Sequence, residues 1–407
     1  MPEGNITTLK NFTIVGFPGL HHNYYGLVSA VMFIVYMCIL VGNGTFLTLF
    51  AWEKSLQKPM YYIIINLSVC DVLFSTTTIP KIITKYWFND GSISFLGYFI
   101  QMHFVHYTGS VIAFVLGIMA FDRYIAVCNP LRYAIIVKDS TVFILCIIAW
   151  LLAVPCILVM VIRAYPLPYC STNTIIHCYC DHVSITRLAC TDRTPYGLAA
   201  LISSMFVLLV PLVFILFSYG SIVKVDLRIS TNQGWIKTLS TCSSQLIITA
   251  LFFLPRCFNY FASFTGLMFS SDIQILVILL YSLVPPMINP FIYCIRTKEV
   301  KKALTKHLAR TMLIQFLKPN LHDSFQNITQ QLEPFSSSFI SHLCTAYVTD
   351  LTVQMNVDIR IIVSMWYSLF PPLVNPIIFC FQTKQIRESL IMKIRKISLS
   401  QLKAPLR

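Results

Sequence analysis

The chain has 407 residues, 56% of them hydrophobic and only 11% charged, and its mean hydropathy is +0.71. That balance excludes a soluble globular domain and describes a chain that crosses a membrane repeatedly. The formal net charge of +14 is then a question of topology, and nucleic acid is a poor partner because the basic residues lie between apolar runs rather than on one soluble face.

Residues 1–23 are polar and carry two N-glycosylation acceptors, Asn5-Ile6-Thr7 and Asn11-Phe12-Thr13, as expected of an extracellular tail. No basic segment with a short apolar core and a small-residue cleavage site precedes the first apolar run, so no cleaved signal peptide is expected. Apolar stretches long enough to cross a hydrocarbon layer of roughly 30 Å run from Tyr24 to Phe50, Met60 to Pro80, Phe95 to Ala120, Val142 to Ile162, Tyr196 to Val223, Leu239 to Phe261 and Ile273 to Ile295. Pro155, Pro211, Pro255, Pro285, Pro286 and Pro290 lie inside them and are tolerated as kinks, because neighbouring groups satisfy the freed backbone.

With the N-terminus outside, fifteen Lys and Arg up to residue 318 fall on the inner side against seven on the outer side, which agrees with the positive-inside rule. Past the seventh span, Thr297 to Arg310 is basic with Val300, Ala303, Leu304 and Leu308 at helical spacing, as in a short amphipathic helix on the inner leaflet. The fold class is therefore all-α: a seven-helix bundle over residues 24–310, a linker over 311–356, and a further hydrophobic helix with a basic tail over 357–407.

Polar residues inside the spans need partners, since an unpaired buried polar group costs roughly a few kcal/mol. Asn43, Asp71 and Asn289-Pro290-Phe291-Ile292-Tyr293 are the main ones. By themselves they read as hydrogen-bond glue between helices. Asp122 and Arg123, side by side where the third apolar run ends, form a charge pair suited to a bilayer edge and able to act as a latch.

Met119 to Tyr133, MAFDRYIAVCNPLRY, resembles the inner end of the third helix in rhodopsin-like G-protein-coupled receptors, and in its longer form the odorant receptor branch. Asn43, Asp71, Arg123, Trp150, Pro211, Tyr219 and Pro290 each match a marker of that family in a different span. Lys58-Pro59-Met60-Tyr61-Tyr62, Ser218-Tyr219 and KTLSTCSSQL from Lys237 to Leu246 are similar to odorant-receptor phrasing, with Gln245 where the family usually has histidine. NPFIYCIRTKEV in the seventh span looks like the fish-type members.

The resemblance implies a plasma-membrane receptor that binds a small odorant and activates a heterotrimeric G protein by a shift between two packings of the bundle. The implied activation switch is Asp71, Asp122, Arg123, Tyr124, Tyr219, Asn289, Pro290 and Tyr293. No nucleophile with its base, phosphate-binding glycine loop or closed metal site stands out, so no enzyme activity and no cofactor are expected. A non-olfactory receptor of the same class, or a transporter or channel, is the alternative.

Counting from Arg123 in turns of 3.6 residues, the ligand-facing stripe of the third helix is Met102, Val105, His106, Gly109 and Ser110. Ser203, Ser204 and Val207 form that of the fifth, and Phe253, Arg256, Cys257 and Tyr260 that of the sixth. Arg256 beside Pro255 either recognises a carboxylate or sulfate on the ligand, or snorkels to the headgroups or pairs with Asp272.

Cys170, Cys178, Cys180 and Cys190 lie in the loop after the fourth span, an oxidising side on this topology. The resemblance implies a Cys170–Cys190 bridge and a second tether from this loop to a cysteine at the start of the third helix. That position is Tyr98 here, so Cys180 loses its partner, Cys178 is spare, and a less constrained loop with poor export is expected. Ile112 departs likewise from an acidic residue common in odorant receptors.

One helix is written twice. Residues 272–304 align without gaps to 358–390 with 16 identities in 33 positions, and Phe379 stands in place of Tyr293. A single repeated helix does not make a transporter built from duplicated halves. Inserting it would leave a basic tail outside, against the charge rule. The segment is expected either to be a paralogue's last helix joined in conceptual translation, or a real extra helix beside the bundle.

Overall fold

The computed structural model describes residues 10–169, 172–192, 194–226, 246–258, 270–297 and 299–307. Its long helices are α1 (Tyr25–Trp52), α2 (Pro59–Trp87), α3 (Phe95–Cys128), α5 (Asp139–Ala164), α7 (Thr194–Asp226) and α9 (Ser271–Arg296), with the shorter α4 (Tyr133–Ile136) and α6 (His182–Thr186) between them. An apolar helix α8 (Leu246–Phe258) occupies the sixth-span position, and α10 covers residues 299–307. Among the described residues six helices are individually long and apolar enough to cross a membrane; the sixth span expected from the sequence, Leu239 to Phe261, includes residues outside the described ones at both ends. The chain divides into two compact units, Met1–Pro290 and Phe291–Arg407, and α9 runs through the boundary. The repeated segment 358–390 lies outside the described residues.

Several helices outrun their apolar cores. α2 continues seven residues past Pro80, where Thr84 Oγ1 donates to the Pro80 carbonyl at 2.8 Å, and α3 continues from Ala120 to Cys128. Hydropathy marks the hydrocarbon layer, whereas backbone hydrogen bonding carries a helix on into the polar interface. Local signals set the starts. Pro59 begins α2, where a missing N–H is harmless, and Ser94 Oγ caps α3 by accepting the Gly97 N–H at 3.1 Å.

Small residues and prolines fix close helix approaches. A Cβ on Gly42 would lie 3.1 Å from the Pro290 ring, and one on Gly117 would lie 3.6 Å from Pro211, so α1 meets α9 and α3 meets α7 at these points.

Among the described residues of the tail, Asn11–Ile14 is built into a sheet. This strand, β1, is antiparallel to β2 (Ser92–Ser94) and parallel to β3 (Thr174–Ile175), with Phe12 opposite Ile93 and Ile14 opposite Ile175. The N-F-T-I alternation turns Phe12 and Ile14 inward and leaves Asn11 and Thr13 exposed. Phe12, Ile14, Tyr98, Phe99, Met102, Tyr169, Ile175 and Cys180 make one apolar cluster. Gly16, at φ +79°, lets the chain turn against Tyr86, whose hydroxyl accepts the Phe17 N–H at 2.8 Å.

Candidate functional site

Two polar groups hold the middle of the bundle. Asn43 Nδ2 donates to the carbonyls of Ile39 and Pro286, each at 3.0 Å. Asn289 Nδ2 donates to Asp71 Oδ2 at 2.8 Å, with both residues buried. The helix-glue reading of these residues therefore describes their geometry: each links distant helices through a satisfied bond. Trp150 joins the same scheme, its indole N–H donating to Asn66 Oδ1 at 3.0 Å.

Beside the Asp71–Asn289 pair lies a small cavity, with about 10 Å³ of room for the centre of a water molecule. α2, α3, α8 and α9 wall it, through Phe74, Ile112, Phe252, Tyr281 and Ser282 among others, and Arg256 closes one side. Arg256 Nη1 donates to the carbonyls of Phe252 and Tyr281, and its guanidinium lies 3.8 Å and 4.6 Å from the centres of their rings. Asp272 accepts the Gly19 N–H at 3.1 Å.

Of the predicted ligand stripe, Arg256 lines this cavity. Met102 is completely buried beneath β1 as part of the apolar cluster. Val105, Ser110 and Phe253 are buried, and the Ser110 hydroxyl donates to the His106 carbonyl of its own helix at 2.8 Å. His106, Gly109, Ser203, Ser204, Val207 and Cys257 are half-buried, and a Cβ on Gly109 would meet open space. Tyr260 lies outside the described residues. His106 Nε2 sits 3.6 Å from Asp181 Oδ1 of the loop.

Asp181, Phe252, Tyr281 and Ser282 escaped the helical arithmetic. Asp181 is on a loop, which has no period to count. The others required knowing how far α8 and α9 turn toward each other.

At the other end of the bundle, Arg123 Nε lies 3.8 Å from Asp122 Oδ2, and Arg123 Nη2 donates to Met60 Sδ of α2. Tyr133 in α4 donates to Asp122 Oδ1 at 2.8 Å. Burial first, and then the Asp122 carboxylate, push the Tyr133 pKa up, so it remains a donor. Tyr124 packs on Phe217 of α7, with ring centres 6.2 Å apart, and Tyr219 and Tyr293 are buried.

In the loop, Cys190 is disulfide-bonded, and its expected partner Cys170 lies outside the described residues. Cys178 and Cys180 are buried free thiols, and burial lifts the Cys178 pKa to about 12. Asn11 is exposed on β1; Asn5 lies outside the described residues.

The family model described as "Olfactory receptor" matches residues 32–311. Human olfactory receptor 2AT4 is 36% identical over 300 residues, covering 74% of this chain and 93% of that one. Human olfactory receptor 52J3 is 35% identical over 292 residues, covering 72% and 93%. Squid rhodopsin superposes with a TM-score of 0.60 at 17% identity, over 73% of this chain and 84% of its own, which shows the seven-helix fold. The family match ends before the repeated segment, and by that match and those identities the chain belongs to the olfactory receptor family.

Proposed function

We propose that this chain is an odorant receptor of the plasma membrane, with its N-terminus outside, and that it binds a small odorant within the bundle and activates a heterotrimeric G protein. It is a receptor and not an enzyme. The carrying observation is the match to the olfactory receptor family over residues 32–311; the cavity that Arg256 shares with the Asp71–Asn289 pair has room for about one water, so an odorant held there requires a wider packing of α8 against α2 and α9. A ligand with different affinity for two packings of α8 against α2 and α9 biases the equilibrium between them, which is all that ligand-driven activation requires. Asp71, Asn289, Pro290, Tyr219 and Tyr293 relay the change to the Asp122–Arg123–Tyr124 latch.

Arg256 gives the ligand class. A guanidinium placed on an aromatic-lined cavity suits a carboxylate or sulfate on a small apolar body. The other stripe residues, Val105, His106, Gly109, Ser110, Ser203, Ser204, Val207, Phe253, Cys257 and Tyr260, supply shape. In the loop, Cys170 is the partner of Cys190, and Asn5 and Asn11 carry sugar. The function belongs to the first copy of the seventh helix, which retains Tyr293; full-length cDNA across residues 296–357 decides whether the second copy is translated.

In cells expressing the receptor, a panel of acidic and neutral odorants raises cyclic AMP, and Arg123→Ala abolishes the response. Uptake of an odorant without any G protein would instead make the chain a transporter. Arg256→Gln loses the acidic odorants selectively; equal loss of neutral ones would remove Arg256 from recognition.

A further inference from the structure

Tyr98, in the first turn of α3, is completely buried. Its hydroxyl donates to the Asp181 carbonyl at 2.8 Å and accepts the Asp181 N–H at 3.0 Å. One side chain thus satisfies both backbone groups of a loop residue, as a neighbouring strand would. One turn further along α3, Gln101 Oε1 accepts the Cys180 N–H at 3.2 Å while its Nε2 donates to the Thr77 carbonyl at 2.6 Å. The Phe12 ring of β1 lies 5.3 Å from the Tyr98 ring and covers the contact. Next to it is the buried thiol of Cys180, while the buried thiol of Cys178, two residues earlier, interacts with Tyr86 of α2.

The consequence reaches the predicted ligand stripe. Asp181 is the N-cap of α6, its Oδ2 accepting the N–H groups of Val183 and Ser184, while its Oδ1 lies 3.6 Å from His106 Nε2. Wherever the Asp181 backbone is held, its carboxylate is held against His106. The loose loop expected from a missing cysteine is therefore replaced by a tied one.

We propose that Tyr98 is a positioning residue whose hydroxyl clamps residues 180 and 181 to α3 by hydrogen bonds in place of a covalent tether, fixing Asp181 against His106. The functional weight of that placement rests on the reading of His106 as ligand-facing; the clamp itself does not. A hydrogen-bonded tether opens and closes thermally and needs no thiol chemistry, so the loop keeps a reversible opening that a disulfide would forbid.

The test uses the full chain in lipid nanodiscs and a water-soluble maleimide, with labelling read at each cysteine by mass spectrometry. In the wild type, Cys178 and Cys180 label slowly. Tyr98→Phe keeps the ring and removes both hydrogen bonds, and it raises the Cys180 rate roughly tenfold while Cys70 and Cys146, buried in α2 and α5, stay as protected as before. A general loss of packing would expose all four, and an unchanged Cys180 rate would leave the hydroxyl without a clamping role; either result overturns the proposal. Tyr98→Cys rescues protection by bridging to Cys180, which then labels only after reduction. Hydrogen exchange on the wild type needs no variant: the Asp181 and Cys180 amides are expected to be protected, and exchange at the rate of exposed loop amides would refute the clamp whatever the variants do.

Discussion

The Tyr133 hydroxyl donates to Asp122 Oδ1 at 2.8 Å while Arg123 sits 3.8 Å from Oδ2, so one buried carboxylate holds a partner on each oxygen. The eleven-residue separation between Asp122 and Tyr133 spans the end of α3 and a return through Pro130–Arg132. Tyr133→Phe removes a hydrogen bond to a charged acceptor, worth roughly 1.5 kcal/mol or more, about tenfold in an equilibrium constant. Ligand-independent cyclic AMP is expected to rise several-fold over wild type at matched surface expression; an unchanged baseline would place Tyr133 outside the latch.

The Asp71–Asn289 bond predicts a stability difference between two substitutions. Asn289→Leu leaves the Asp71 carboxylate buried without its 2.8 Å donor, at a cost of about 1–3 kcal/mol. Asp71→Asn keeps an acceptor for Asn289 and is expected to cost less. Thermal unfolding of the purified receptors ranks them, with Asn289→Leu melting at the lower temperature.

Gly16 tests the N-terminal strand. At φ +79° an added Cβ is strained, and it would also lie 2.2 Å from the Tyr86 hydroxyl that receives the Phe17 N–H. Gly16→Ala should cost about 1–3 kcal/mol, seen as reduced surface display and faster proteolysis of residues 10–20. Gly26→Ala, whose Cβ meets nothing within 4 Å, is the control and should display normally.

Acid should loosen the loop around α6. Burial, followed by the neighbouring His106, lowers the His182 pKa to about 4, with Asp181 acting in the opposite direction. The folded pKa lies below the ordinary histidine value of about 6.5, so the unfolded loop takes up a proton that the folded loop refuses. The stability this contributes is present at neutral pH and is lost as pH falls from about 6.5 toward 4. Burial opposes ionisation of Asp181, but His177, His106, His182 and the Ser184 N–H outweigh it and hold its pKa below the usual carboxylate range. Its share disappears only below that range. Hydrogen exchange of residues 182–186 at pH 7 and pH 5 should show faster opening at pH 5, and His182→Gln should flatten the difference.

Much of this protein is legible without coordinates. Long apolar runs can only be membrane helices, because hydrocarbon offers backbone groups no other partner. Asn43, Asp71 and Asn289 announce themselves as polar groups that must be satisfied there, and the Asp122–Arg123 pair as one that must sit at the edge. Even β1 has its signature in the alternation of Asn11, Phe12, Thr13 and Ile14, though a four-residue run is too short to stand out inside a polar tail.

What tertiary structure alone decided are pairings between residues far apart in the chain. Periodicity ranks the faces of one helix but carries no information about its rotation against the next, so it missed Tyr281 and Ser282 beside Arg256. Nor could a sequence in which tyrosine replaces an expected cysteine reveal that Tyr98 still meets residue 181, 83 positions away. A covalent tether can be anticipated by counting thiols. A hydrogen-bonded one exists only when packing brings a hydroxyl to a backbone amide and carbonyl at once, and that is a property of the assembled bundle.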